Sequence, residues 1–232
     1  MHRHSVLWVL RDTADAEQRD RMFKGIAWVR FECPSIIAGD YGTDIFGGAD
    51  PMRQIVPYKR RPRWRSAVEG PPFNYDVVMH LDFDNLPAYE AYRAHAGHIN
   101  IAAFNDKVAE NDLTARVEWE YDASIPSFRR GHVRHTAMFI WSDNASEKQK
   151  QAALDTVRRL GDVRGVESLA VGRGITLHRT SDFDWIMDVQ LTNPDATKAF
   201  LESKAYREVM QAVAPVTRFE WTARASHIMR GV

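Results

Sequence analysis

The chain repeats itself, and the repeat limits what it can fold into. Arg3-His4-Ser5-Val6-Leu7-Trp8 returns as Arg134-His135-Thr136-Ala137-Met138-Phe139, an offset of 135 − 4 = 131. Ser35-Ile36-Ile37-Ala38-Gly39 returns as Ser168-Leu169-Ala170-Val171-Gly172, offset 133. Tyr75-Asp76-Val77-Val78-Met79 returns as Phe183-Asp184-Trp185-Ile186-Met187, offset 108, and Arg116-Val117-Glu118-Trp119 as Arg218-Phe219-Glu220-Trp221, offset 102. Four matches in one order point to a tandem duplication. The falling offsets place 25 extra residues of the first copy between Gly39 and Tyr75, and six more before its last strand.

Each copy reads strand, helix, strand, strand, helix, strand. Val6 to Leu10 and Ala137 to Trp141 are apolar runs of strand length. Tyr75-Val77-Met79-Leu81-Phe83 alternates with Asp76, His80 and Asp82, and Phe183-Trp185-Met187-Val189-Leu191 repeats that period of two. Ser146 with Gln149 is a capping-box signal ahead of a helix over 151–160. Asn193-Pro194 sets a cap before Pro at a first helical position. The final strands are expected at Val117-Trp119-Tyr121 and Phe219-Trp221. The fold class is therefore α+β, two tandem ferredoxin-like units of four antiparallel strands with helices on one face. Boundaries fall at 1–122 (with an insertion at about 40–72), a linker at 123–132, and 133–232.

Thirty-one Lys and Arg balance 31 Asp and Glu, so no global field favours nucleic acid or an acidic membrane. Cys33 is the one cysteine, which excludes an intrachain disulfide and fits a reducing cytoplasm. No stretch approaches the ~20 apolar residues of a membrane helix, and a soluble cytoplasmic protein is expected.

The candidate chemistry sits in the first copy. His4 shares a strand face with Val6, Trp8 and Leu10. Tyr92, His95 and His98, three apart, form one stripe if the segment is a single helix. Imidazole titrates near neutral pH, so His98 can abstract a proton α to a carbonyl, with His4 as its partner or a carbonyl ligand. Tyr92 can donate to the developing enolate oxygen. The second copy keeps His135 but has Phe200, Ser203 and Tyr206 at the other positions, so one working pocket is expected. His95 and Trp8 are expected to contact substrate. In the insertion, Tyr58-Lys59-Arg60-Arg61-Pro62-Arg63-Trp64-Arg65 concentrates cations and aromatics. A nucleic-acid reading is set aside on net charge. A lid in which Arg61 or Arg63 pairs with a substrate anion, beside Trp64, is the functional reading, and a solvated loop the bland one. Metal ligation by His95, His98 and His4, or by Asp76, His80 and Asp82, competes; the latter three read more simply as a solvent face or a polar barrel lining. Trp8, Trp28, Trp119 and Trp221 sit at apolar periodic positions and are expected in the core. Gly172-Arg173-Gly174 lacks the strand–turn–helix setting of a dinucleotide site.

The His opening each first strand (His4, His135), the Gly after each second strand (Gly39, Gly172) and Tyr92-x-x-His95-x-x-His98 resemble the Dabb family of stress-responsive dimeric α+β barrels. The resemblance covers 3–47, 73–122 and 133–228. It implies that two units pair sheet to sheet into a barrel, here inside one chain as a pseudo-dimer, leaving room for a homodimer beyond it. Some members are polyketide cyclases whose strand His and helix His and Tyr line the pocket, and which close rings by aldol-type chemistry without metal or organic cofactor. The resemblance thus implies a cyclase or lyase acting on a polyketide-like or aromatic carbonyl compound. A cofactor-free monooxygenase and a non-catalytic stress or ligand-binding protein are the alternatives.

Overall fold

The computed structural model describes residues 1–46, 74–175 and 183–232. The expected insertion at about 40–72, with Arg61, Arg63 and Trp64, lies outside the described residues beyond residue 46.

The central strands are buried on both faces, and every strand runs antiparallel to its neighbours. The first unit has β1 (His2–Trp8), α1 (Ala16–Glu32), β2 (Ala38–Thr43), β3 (Val77–Phe83), α2 (Leu86–Ala94), α3 (Ala96–Val108) and β4 (Ala115–Glu120). The second has β5 (Val133–Phe139), α4 (Glu147–Arg158), β6 (Val166–Arg173), β7 (Trp185–Leu191), α5 (Pro194–Glu202), α6 (Lys204–Val213) and β8 (Ala223–Ile228). The sheet orders, β4-β1-β3-β2 and β8-β5-β7-β6, are the same topology twice. A last short strand, β9 (Arg230–Gly231), returns to pair with β2 of the first sheet. Helix starts follow local chemistry. Asp15 and Ser146 close capping boxes with Gln18 and Gln149, and Asn85 and Asn193 each cap a helix that has Pro in its first turn.

The strand registers correct two of the sequence matches. His4 pairs with Leu81 and His135 with Val189, so β3 and β7 are related by 189 − 81 = 108. Gly42 opposes Val78 and Gly172 opposes Ile186, so Gly42, not Gly39, is the counterpart of Gly172. The offset of 108 then holds to the last strand, since β4 begins at Ala115 and β8 at Ala223. Phe219–Trp221, expected as the final strand, is a 3-10 turn before it. The six-residue insertion inferred there does not exist; the Arg-x-Glu-Trp likeness was one of composition.

The two sheets close on each other along two seams. At one, Trp119 bridges Gly174, and Gly172 lies so close that an added Cβ would come within 2.4 Å of the Trp119 ring. At the other, Asp44 bridges His227, and a Cβ on Gly42 would meet the His227 ring at 2.8 Å. Trp119 and His227 are themselves counterparts (227 − 119 = 108), so each seam packs a ring on a glycine. Inside the barrel, Leu7, Val9, Val78, Val117, Trp119, Met138, Ile140, Ile186 and Ala225 form an apolar core.

The rest of the interior is ionic. Arg3 takes Asp82 by two bonds of 2.6 and 2.8 Å, reaches Asp188 across the sheets at 2.5 Å, and donates to the Tyr121 hydroxyl at 3.0 Å. Its counterpart Arg134 pairs with Asp40 at 2.8 Å and Asp188 at 3.3 Å, and His227 meets Asp40 at 2.5 Å. His80 and Asp82 thus line the barrel, the simpler of the readings given to them. Such buried ions contribute little net stability, but removing one partner strands the other, so they fix which sheets pair and in what register. Of the tryptophans, Trp8 and Trp119 are buried as expected, whereas Trp28 is 59% exposed on α1. Its apolar type follows the helical period, but nothing described packs over that face. No described helix is long and apolar enough to cross a membrane.

Candidate functional site

Between the first sheet and its helices, β1 turns His4, Val6 and Trp8 toward α1, α2 and α3. There a cavity of about 50 Å³ is lined by His4, Trp8, Tyr92, His98, Asn105 and Arg116, among others. Three sequence candidates, His4, Tyr92 and His98, therefore converge, and Trp8 joins them.

They converge for a reason other than the expected one. The segment 86–108 is not one helix: His95 is extended (φ −72°, ψ 135°), ending α2 and capping α3. The predicted Tyr92-His95-His98 stripe is thereby broken. Six residues apart on a straight helix, Tyr92 and His98 would point to different faces; across the break their ring centroids are 4.2 Å apart. His95 is exposed, accepts from the Gly97 amide at 3.2 Å and lies 3.5 Å from the buried Cys33 Sγ. It is a helix cap and does not line the cavity, which corrects its expected substrate contact. Ser203 breaks the second unit at the matching place and caps α6.

Each histidine has its tautomer set by a neighbour. His98 Nδ1 lies 3.1 Å from the Arg93 carbonyl oxygen, which can only accept, so Nδ1 carries the proton and Nε2 is the basic nitrogen. His4 Nδ1 lies 3.0 Å from Glu118 Oε1, which also accepts from the Tyr89 hydroxyl at 2.7 Å. Burial alone would raise the Glu118 carboxyl, but the hydrogen bonds from His4 and Tyr89 and the charge of Arg116 outweigh it and hold it at about 2. Glu118 is thus an anion that keeps the His4 proton on Nδ1 and stabilises an imidazolium once Nε2 takes another. Among the described residues His4 Nε2 has no hydrogen-bond partner. Burial raises the Tyr92 hydroxyl well above its ordinary value, reinforced by Cys33 and opposed by Arg116, so it stays a donor at neutral pH.

Glu118, Tyr89, Asn105 and Arg116 escaped the sequence reading. The signal for Glu118 was present: in the ferredoxin-like order β4 neighbours β1, and Glu118 stands directly opposite His4. Finding it required the register of β4 against β1, which no local pattern gives. Among the described residues no group of three His, Cys, Asp or Glu side chains is placed to hold a metal ion.

The second unit carries the same frame with different groups. His135 is fully buried, with Nδ1 2.8 Å from Ser226 Oγ and Nε2 3.2 Å from the Tyr206 hydroxyl. Ser226 is the counterpart of Glu118, Tyr206 of His98, and Phe200 of Tyr92, each by the offset of 108.

Comparison with known proteins agrees with this architecture. A family model described as the stress responsive A/B barrel domain matches residues 133–223. No curated protein matches the chain. Among solved structures, an anthrone oxidase-like protein aligns over 100% of this chain and 92% of its own, with TM-score 0.60 and 11% identity. A candidate monooxygenase from Lactobacillus acidophilus NCFM aligns over 99% and 93%, with TM-score 0.51 and 11% identity. Another from Fusobacterium nucleatum aligns over 98% and 91%, with TM-score 0.54 and 11% identity. At such identity the likeness is one of fold, and it extends over both units. The chain is thus a fused pair of dimeric α+β barrel units, and the second of them, residues 133–223, matches the model of the stress responsive A/B barrel domain family.

Proposed function

We propose that the first unit is a cofactor-independent acid–base site that removes a proton α to a carbonyl of a small organic substrate. The observation that carries this reading is the Tyr89–Glu118–His4 chain, which ends on the cavity with His4 Nε2 unpartnered among the described residues. An imidazole oriented by a buried carboxylate is a general base whose charged form is stabilised in place. His4 takes the α-proton, Tyr92 donates to the enolate oxygen, and His98 Nε2 relays the second proton. These roles exchange those first expected for His4 and His98. The enolate carbon then attacks a second carbonyl, as an aldol-type cyclase requires, or expels a leaving group, as a lyase does.

A second reading rests on the fold neighbours described as monooxygenases and anthrone oxidase-like. The same carbanion would reduce dioxygen, form a C–O bond and pick up a proton, and the resulting hydroperoxide would lose water to leave a ketone. Both readings share the first step. The cavity of about 50 Å³ holds only a few water-sized groups, so a polyketide-sized substrate must widen it.

The test is deuterium exchange. In D₂O, the α-hydrogens of hydroxyacetone should exchange faster with the protein than without it, followed by NMR. His4→Ala should lower that rate by roughly 10²–10⁴-fold, and His98→Ala should also abolish turnover while leaving the fold intact. Exchange indifferent to His4→Ala would leave the non-catalytic ligand-binding reading. Oxygen uptake during turnover would choose the monooxygenase branch.

A further inference from the structure

Among the polar groups that line the cavity, Asn105 is one that the acid–base reading does not use. Asn105, on the inner face of α3, is 5% exposed and lines the cavity with His4, Tyr92 and His98. Its Oδ1 is buried and has no hydrogen-bond partner among the described residues. Backbone satisfaction is not what holds the residue there: its own carbonyl accepts from the Ala109 amide as any residue at the end of α3 would. A buried amide oxygen without a donor is costly, and such groups are rare in native interiors.

The second unit shows what the fold accepts at this place. By the offset of 108, the counterpart of Asn105 is Val213, in α6, fully buried within the apolar core. The helix therefore packs without an amide, and the first unit carries one that lines the cavity.

We infer that Asn105 is a substrate-recognition residue whose Oδ1 accepts a hydrogen bond from a hydroxyl of the substrate, so that the site selects carbonyl compounds bearing a second, donor oxygen (an alcohol, phenol or enol). The division of labour in the cavity is chemical. Tyr92 is a donor and matches the substrate carbonyl; Asn105 offers an acceptor and matches a group that can give a proton to a hydrogen bond. A ketone without a hydroxyl would fill the same space yet leave the amide oxygen stranded. Sites built to bond a hydroxyl reject analogues lacking it far more strongly than apolar pockets discriminate by size. This inference rests on the acid–base reading for the identity of the carbonyl and names the substrate class that reading leaves open.

Two probe pairs test it, hydroxyacetone against methoxyacetone and 2′-hydroxyacetophenone against 2′-methoxyacetophenone. Binding is read by ligand-observed NMR titration, separately from α-deuterium exchange. The wild-type protein should bind at least one hydroxyl compound about tenfold more tightly than its methyl ether. Asn105→Val, which installs the residue the second unit already tolerates, should erase that preference. It should also raise the melting temperature by a few degrees, since the stranded amide is gone. Asn105→Thr has the shape of Val with a hydroxyl in place of one methyl and should restore part of the preference. Equal affinity for alcohol and ether in the wild type, or a preference that survives Asn105→Val, overturns the inference; so does failure of both hydroxyl compounds to bind. The two readings fail separately. Selective binding without exchange would sink the acid–base site and keep the recognition role, whereas exchange without selectivity would do the reverse.

Discussion

The two units place a histidine at the same point of the same strand, and one has unused bonding capacity while the other is saturated. His4 rests on a carboxylate and meets a cavity; His135 is fully buried and bonded at both ring nitrogens, to Ser226 and Tyr206. The ring geometry barely changes between them. His4 and Tyr92 centroids are 6.1 Å apart and His135 and Phe200 are 6.5 Å apart. What differs is side chains on a shared frame, among them Glu118 for Ser226, Tyr92 for Phe200, His98 for Tyr206 and Asn105 for Val213. A duplicated scaffold thus holds a packed core in one unit and a polar-lined cavity in the other with no change of topology. The family model matches the packed copy, residues 133–223, so sequence likeness and candidate chemistry have parted company within one chain.

The comparison breaks most visibly if both units are cores. Tyr206 is fully buried against Phe200 and His135, so Tyr206→Ala should cost about 3–5 kcal/mol in a urea melt, the usual range for deleting a buried aromatic ring. His98, partly exposed beside the cavity, should cost no more than about 1 kcal/mol when cut to Ala. Equal losses would mean that His98 is a structural group like its counterpart.

Titration sharpens the contrast at the next strand. Glu118 is held at about 2 in the folded protein, below its ordinary 4.5. A depressed carboxylate adds stability that is complete above its unfolded value and is lost as pH falls from about 4.5 toward about 2. The contribution is on the order of 3 kcal/mol at neutral pH. Glu118→Gln should therefore flatten the fall of stability with acid across that window, while Ser226→Ala at the equivalent place leaves the slope unchanged. The Asp40 carboxylate is also lowered in the barrel interior: burial opposes the shift, but the Arg134 charge and the His227 hydrogen bond win. Residual acid sensitivity in Glu118→Gln is expected from that source. An unchanged slope in Glu118→Gln would show that the carboxylate is not held by His4 and Tyr89.

Much of this was legible in the sequence because period-two alternation and caps are local. Residues 75–83 and 183–191, the Ser146 capping box and the Asn193-Pro194 start could be read from a few neighbours each, and the repeat gave the pairing of units. The errors came where local likeness competed with register. Arg218-Phe219-Glu220-Trp221 looked like the last strand because it shared letters with 116–119, yet the strand lies at 223–228. Glu118 was missed for a related reason, since its partner is named only once β4 is set against β1. The helix break at His95 was also hard to see, because no Pro marks it and both flanking segments are helical by pattern, so that Gly97 was the one local sign. Asn105 could not be found by pattern at all. An unpartnered amide is a property of the space around it.

The finest test of the contrast is one oxygen in each unit. Tyr206→Phe removes the hydroxyl 3.2 Å from His135 Nε2 and leaves a fully buried ring nitrogen without that partner. Stranding such a group costs about 1–2 kcal/mol. Tyr92→Phe removes a hydroxyl that makes no hydrogen bond to a described residue, so its stability cost should stay within about 0.5 kcal/mol. The order should reverse for α-deuterium exchange. Tyr92→Phe loses the donor to the enolate and slows exchange by roughly 10²-fold or more, whereas Tyr206→Phe leaves it at the wild-type rate. Paired urea melts and exchange rates on the two variants give four numbers. A Tyr92→Phe protein that loses stability and keeps its exchange rate would place Tyr92 in the role Phe200 already fills, and the two units would then be alike where the first is held to be reactive.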